Sequence, residues 1–160
     1  MKRKHFLSAI FPAAFTLSST KFEEDKSDAA SSHPIKIPPY LKAGDVIGIT
    51  CPAGYISLED CQPAIQQMQS WGFKIELGKT VGKRSFTFGG TDEERRQDLQ
   101  YMLDNPNLKA IMCARGGYGL VRIVDDLDFK KFKVNPKWII GFSDITVLHN
   151  HLNRNLHVST

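Results

Sequence analysis

Trp138-Ile139-Ile140-Gly141-Phe142-Ser143-Asp144-Ile145-Thr146 (WIIGFSDIT) runs from an apolar segment through a glycine corner into the helical pattern DITVLHNHLNR. The same succession occurs upstream. DVIGITCPAG (45–54) is an apolar run closed by Pro52 and Gly54, and the helical pattern SLEDCQPAIQQMQSWGF follows, with Ser57 as its cap and Gly72 as its stop. FKIELG (73–78) reads as a second strand. The loop KTVGKRSFTFGGT then leads into TDEERRQDLQYMLDNP, a helix capped at Thr91 or Asp92. Leu99, Met102 and Leu103 give that helix an apolar face at i, i+3, i+4, and Glu93 to Asp98 are expected to face solvent. LKAIMCA (108–114) is a third strand with RGGYG directly after it, LVRIVDDL a short helix, and WIIG the fourth strand.

Strands alternating with helices at this spacing predict right-handed crossovers and a parallel sheet covered on both faces. The expected class is therefore α/β, a three-layer parallel sheet of the flavodoxin-like or class I glutamine amidotransferase-like kind. Ligands of such sheets bind beyond the carboxyl ends of the strands. CPAG, RGGYG and GFSD all leave from those ends.

A chain of 160 residues with 41% hydrophobic residues builds one core. Its formal charge is +4, of which Lys2, Arg3 and Lys4 supply +3, so residues 21–160 carry only +1. That leaves no basic face on the folded part, and nucleic acid is not an expected partner. MKRKH followed by FLSAIFPAAFTL and SST has the layout of a secretory signal, with Arg3-Lys4-His5-Phe6-Leu7 similar to a loose twin-arginine motif. Residues 1–20 are accordingly expected to direct the protein to the periplasm or outside, the alternative being a cytoplasmic protein with an uncleaved N-terminus. Residues 21–38, charged, small and punctuated by proline, read as a linker. Cys51, Cys61 and Cys113 form no C-x-x-C pair, so neither a zinc site nor a disulfide framework is indicated. They read as small buried hydrophobes.

Gly141-Phe142-Ser143-Asp144 between strand and helix has the layout of a nucleophile elbow, in which a strained turn exposes the serine and the following helix offers free N–H groups. The alternative is a plain cap, Ser143 or Asp144 accepting a hydrogen bond from the helix start. The elbow pattern is incomplete, because Ile145 occupies the position of the usual second glycine. Arg115-Gly116-Gly117-Tyr118-Gly119 lets backbone amides approach a ligand or an anion. As a dinucleotide loop it fails, lacking the third glycine and following the third strand instead of the first. The alternative here is a tight turn with Tyr118 packed on the core. If RGGYG and GFSD neighbour one another, one supplies the second oxyanion donor for the other.

The succession GDVIGI…PAG, F-x-G-T-D-x-x-R-x-x-D-L-x-x-M, AI-x-C-x-RGGYG and IGFSDIT-x-L resembles the LD-carboxypeptidases of the serine peptidase class. These include muramoyl-tetrapeptide carboxypeptidases and relatives that hydrolyse the peptide-nucleotide antibiotic microcin C. The resemblance spans about residues 39–160, which it marks as the N-terminal, nucleophile-bearing domain. It implies Ser143 as nucleophile and the amides of Asp144 and of Gly116 or Gly117 as the oxyanion hole. Arg115 and Tyr118 are candidate substrate contacts. The implied substrate is a muropeptide tetrapeptide losing a terminal D-alanine, and neither cofactor nor metal is implied. The family's triad is Ser-Glu-His, with Glu and His in a C-terminal domain. The chain is expected to stop short of that domain, which becomes an implied partner beside a second copy in a homodimer. His149 and His151 lie too far along the helix to act as base, and nothing in the sequence places His157 at the corner. Three rivals stand beside the carboxypeptidase: a microcin C-type hydrolase, a non-catalytic module binding an anion or peptide on the RGGYG nest, and a structural remnant without ligand in which Ser143 merely caps its helix.

Overall fold

The computed structural model describes residues 34–160. The expectations for residues 1–20, and for most of the linker, lie outside the described residues. Four strands, β1 (Val46–Thr50), β2 (Lys74–Leu77), β3 (Leu108–Cys113) and β4 (Trp138–Ile140), form one sheet in the order β2-β1-β3-β4. All three pairings are parallel, which is the expected α/β class. Between them run α1 (Leu58–Ser70), α2 (Asp92–Asp104) and α3 (Lys130–Val134), and α4 (Thr146–His151) follows β4. The connection from β1 to β2 steps one way across the sheet and the later ones step back. With right-handed crossovers, α1 must therefore cover one face and α2 and α3 the other. The core divides accordingly. Ile47, Ile49 and Ala110 pack with Cys61, Ile65 and Met68 of α1. Leu108, Ile111 and Ile139 pack with Leu99, Met102, Phe132 and Leu148 on the opposite face. Strand order reverses between β1 and β3, so the crevice expected in such sheets opens at their carboxyl ends.

The helix boundaries follow the sequence signals. Ser57 caps α1 through a hydrogen bond from the Asp60 N–H, and Gly72 (φ 88°) follows its end. Thr91 and Glu94 form a reciprocal capping box on α2. The expectation that Glu93 to Asp98 face solvent is corrected: Arg95 and Asp98 are buried. Positions 95, 98, 99 and 102 form one continuous i, i+3, i+4, i+7 stripe. Its N-terminal half meets loop carbonyls and threonine hydroxyls instead of apolar side chains, so polar residues occupy it.

LVRIVDDL forms two 3-10 turns, Leu120–Arg122 and Val124–Asp126, rather than one α-helix. The helix after Ser143 opens as a 3-10 turn (Ser143–Ile145) and closes as a π turn (Leu152–Leu156). Lys36 pairs in parallel with Val158, the Lys36 N–H donating to the His157 carbonyl at 2.7 Å. Lys137, just before β4, is buried and donates to the carbonyls of Met102 (3.1 Å), Leu103 (3.1 Å) and Asn105 (2.5 Å). It thus satisfies the open carbonyl end of α2, whose last turn has no basic residue of its own. No helix among the described residues is long and apolar enough to cross a membrane.

Candidate active site

β4 delivers the chain into Gly141-Phe142-Ser143 at the carboxyl end of the sheet. Ser143 has φ 63°, a left-handed conformation in a non-glycine residue. Such a residue costs about 1–3 kcal/mol and persists only where its surroundings enforce it. No side chain caps the turn that begins at Ser143, and the side chain itself is exposed. A cap would have extended angles and an engaged Oγ, so the corner has the geometry of the elbow. Gly141 explains how Ile145 replaces the second glycine: a Cβ on Gly141 would lie 2.8 Å from Ile145 Cγ2. The bulk sits at one position because the other has no side chain.

RGGYG lies against this corner. A Cβ on Gly116 would meet Ser143 Cβ at 2.8 Å, Phe142 O at 3.1 Å and Ser143 Oγ at 3.2 Å, so only glycine fits the approach. The CPAG loop closes the other side, the Gly54 N–H donating to the Gly116 carbonyl at 2.9 Å. Ile56, Ala114, Arg115, Gly116, Gly117, Phe142 and Ser143 line a cleft of about 330 Å³. A larger concavity of about 620 Å³ lies between β2 and α2, over Glu76, Gly78, Lys83, Asp98 and Tyr101. Its lining includes nothing from the elbow or the glycine loop.

The sequence-predicted residues fall into two groups. Ser143, Gly116, Gly117 and Arg115 share the cleft, with Arg115 exposed. The Asp144 carboxylate turns away to accept the Leu120 N–H at 2.9 Å, tying the elbow to the end of RGGYG. Tyr118 does not pack into the core: it is 57% exposed and leans on Phe88 with ring centroids 6.3 Å apart. His149 and His151 are engaged elsewhere. His149 Nε2 lies 3.1 Å from the Gly141 carbonyl and its Nδ1 2.8 Å from Thr160 Oγ1, and His151 lies against Phe129.

Two residues that shape this edge, the Arg and second Asp of the T-D-x-x-R-x-x-D-L succession, were given no site role from sequence. Arg95 Nη1 donates to the carbonyls of Pro52 (2.5 Å) and Gly119 (3.0 Å), and Nη2 bonds Asp92. Asp98 accepts from Thr50 Oγ1 (2.7 Å), Thr80 Oγ1 (2.6 Å), Lys79 N (2.8 Å) and Thr80 N (3.2 Å). Between them they hold the CPAG loop, the glycine loop and the turn after β2. Their i, i+3 spacing on the same stripe as Leu99 and Met102 was the available signal. Burial pushes the Cys51 thiol up to about 12, with Cys61 and Asp98 adding to it, and burial and then Cys51 do the same for Cys113. All three cysteines are free and buried, as their composition suggested. Among the described residues no group of His, Cys, Asp and Glu is arranged to hold a metal.

The family description "LD-carboxypeptidase N-terminal domain" matches residues 47–160. The chain belongs to the LD-carboxypeptidase family. A probable murein peptide carboxypeptidase of Bacillus subtilis is 33% identical over 123 residues, 77% of this chain and 39% of that protein. The murein tetrapeptide carboxypeptidase of Pseudomonas aeruginosa is 33% identical over 109 residues, 68% of this chain and 36% of that one. Among solved structures, the microcin C7 self-immunity protein MccF in complex with aspartyl sulfamoyl adenosine matches with a TM-score of 0.70 and 30% identity. That match covers 78% of this chain and 37% of the other. The chain spans 35–39% of the length of the curated relatives it matches first.

Proposed function

We propose that this chain carries the nucleophile half of a serine-type LD-carboxypeptidase site, which releases a terminal D-amino acid, D-alanine, from muropeptide tetrapeptides in peptidoglycan turnover. The observation that carries the reading is Ser143 at φ 63° in contact distance of Gly116. Ser143 Oγ attacks the scissile carbonyl and its proton passes to a base. The C–N bond of the tetrahedral intermediate breaks, the leaving amine takes the proton, and water hydrolyses the resulting ester. The N–H groups of Asp144 and of Gly116 or Gly117 stabilise the oxyanion. Arg115 at the cleft rim meets the free carboxylate of the terminal residue, and Tyr118 flanks the peptide. The family's Glu and His come from its C-terminal domain, and His149, held by Gly141 and Thr160, does not replace them.

Export of the protein by residues 1–20 is part of the same proposal, since it would place the site beside its substrate. The likeness to MccF bound to a nucleotide-like ligand supports a second reading, hydrolysis of a peptide-nucleotide by the same acyl chemistry.

Two measurements test the proposal. Residues 1–160 alone should release D-alanine at no more than a trace rate, because loss of one triad member costs a factor of about 10⁴ or more. Robust release abolished by Ser143→Ala would place a working base within this chain. Prolonged exposure to a fluorophosphonate, mapped by mass spectrometry, should modify Ser143 ahead of every other serine. Modification spread evenly over surface serines would favour a binding module without serine chemistry.

A further inference from the structure

One peptide unit links the buried face of α2 to the residue after Ser143. The Gly119 carbonyl accepts from Arg95 Nη1 at 3.0 Å, and the N–H of the same unit, on Leu120, donates to Asp144 Oδ2 at 2.9 Å. Gly119 has φ 130°, and a Cβ there would lie 2.9 Å from Arg95 Nη1 and 3.0 Å from Phe88 Cδ1. The loop thus rests directly on the guanidinium. Arg95 is fully buried, with its ring neighbour Phe88 4.9 Å from the guanidinium carbon and its Nε without a partner. A buried guanidinium with an unmet N–H is expensive to keep, and hydrophobic residues of similar volume would fill the same stripe of α2. Packing does not account for it. Its contacts do: a second bond from Nη1 reaches the Pro52 carbonyl in the CPAG loop, so one cation grips both glycine-bearing loops of the cleft.

We infer that Arg95 and Asp144 are coupled positioning residues, which act through the Gly119–Leu120 peptide to set the backbone amides of RGGYG against the elbow. The inference rests on the oxyanion role given above to Gly116, Gly117 and Asp144. The cation polarises the peptide so that its N–H becomes a stronger donor, and the carboxylate takes that donor. The Asp144 side chain thereby holds the loop while its own amide faces the reaction. Asp92 steadies the other end, bonding Arg95 and also Arg122 in the turn after the loop. The elbow and the nest then move as one body, as donors within a few tenths of an ångström of an oxyanion require.

The test uses the ¹⁵N-labelled 160-residue chain without substrate. It follows Leu120 amide exchange and the Gly116, Gly117 and Asp144 N–H resonances in the wild type, Asp144→Ala, Asp144→Asn, Arg95→Met and the Arg95→Met/Asp144→Ala double variant. Asp144→Ala should speed Leu120 exchange roughly 10-fold and shift the Gly116 and Gly117 resonances. Asp144→Asn, which retains an acceptor, should restore most of the protection. Arg95→Met should shift the same resonances although Arg95 bonds none of those residues. The double variant should shift them no further than the larger single effect, the signature of one coupled unit. Additive shifts, or Gly116 and Gly117 resonances unmoved in Asp144→Ala, would overturn the inference. If Arg95→Met does not fold, Arg95→Lys, which keeps the charge but not the paired bonds, takes its place in the same single and double comparison. These spectra report geometry alone, whereas fluorophosphonate modification spread evenly over surface serines would count against the serine chemistry and leave the coupling standing.

Discussion

Replacing Ser143 should reveal that the elbow stores strain. A left-handed φ costs a residue with a Cβ about 1–2 kcal/mol, and Ser143 has φ 63°. Ser143→Ala keeps the Cβ and hence the strain, and no cap bond is lost, so stability should change by no more than about 0.5 kcal/mol. Ser143→Gly removes the strain but gains about 0.4–1 kcal/mol of unfolded-state entropy cost. The net should be a stabilisation of about 0.5 kcal/mol. An ordinary capping serine gives the opposite order, losing about 1 kcal/mol to alanine and a few tenths to glycine. Urea unfolding with unchanged m-values measures both. A loss of 1 kcal/mol or more in Ser143→Ala, or a glycine variant less stable than wild type, would refute the strained-elbow account.

Asp98→Leu leaves two threonine hydroxyls and two N–H groups without their shared acceptor and should cost about 3 kcal/mol or more. An exposed helix position would give under about 0.5 kcal/mol, so a near-neutral result in urea would show that Asp98 is not a structural hub. The hydrogen bond from Arg122 is the largest effect on the Asp92 carboxyl; burial opposes it, and with the hydrogen bond from Arg95 and the two guanidinium charges added the carboxyl is held below the usual carboxylate range. Its contribution is therefore complete above the unfolded-state pKa, about 3.9, and is lost as pH falls through the lower folded value. Asp92→Asn should flatten the acid limb of the stability curve, and an identical limb would count against the pairing. With thiol pKa values near 12, Cys51 and Cys113 should resist iodoacetamide at pH 8 in the folded chain and react once it is unfolded. Mass spectrometry of native protein showing either one alkylated would contradict their burial.

How much was legible in the sequence depended on whether a residue's partner was near it in the chain. Strand and helix succession was readable because each element carries its own punctuation, such as Ser57 and Gly72 around α1 or the Thr91–Glu94 box on α2. The meeting of RGGYG with GFSD was also accessible, since successive parallel strands bring their exits together. Arg95 and Asp98 were misread because their partners lie 43, 24 and 48 residues away, at Pro52, Gly119 and Thr50. A helical charge normally signals solvent, and only the fold supplies the loop carbonyls that reverse it. The 3-10 turns over Leu120–Asp126 were hidden for a similar reason. They begin at Leu120, whose N–H is held by Asp144 24 residues away, a contact local propensity does not encode.

Lys137 makes α2 a gauge as well as a wall. The helix is 13 residues long, about 20 Å at 1.5 Å per residue. At one end Arg95 grips the glycine loop, and at the other Lys137, the residue just before β4, clamps the terminal carbonyls. β4 in turn ends at the elbow. One element therefore measures the distance between the glycine loop and the root of the strand that leads to Ser143. Removing or adding a residue within α2 would shift one grip by 1.5 Å and turn it by about 100°, so both could not be kept. Side chains on the outer face of α2 are free to vary, but its length is not.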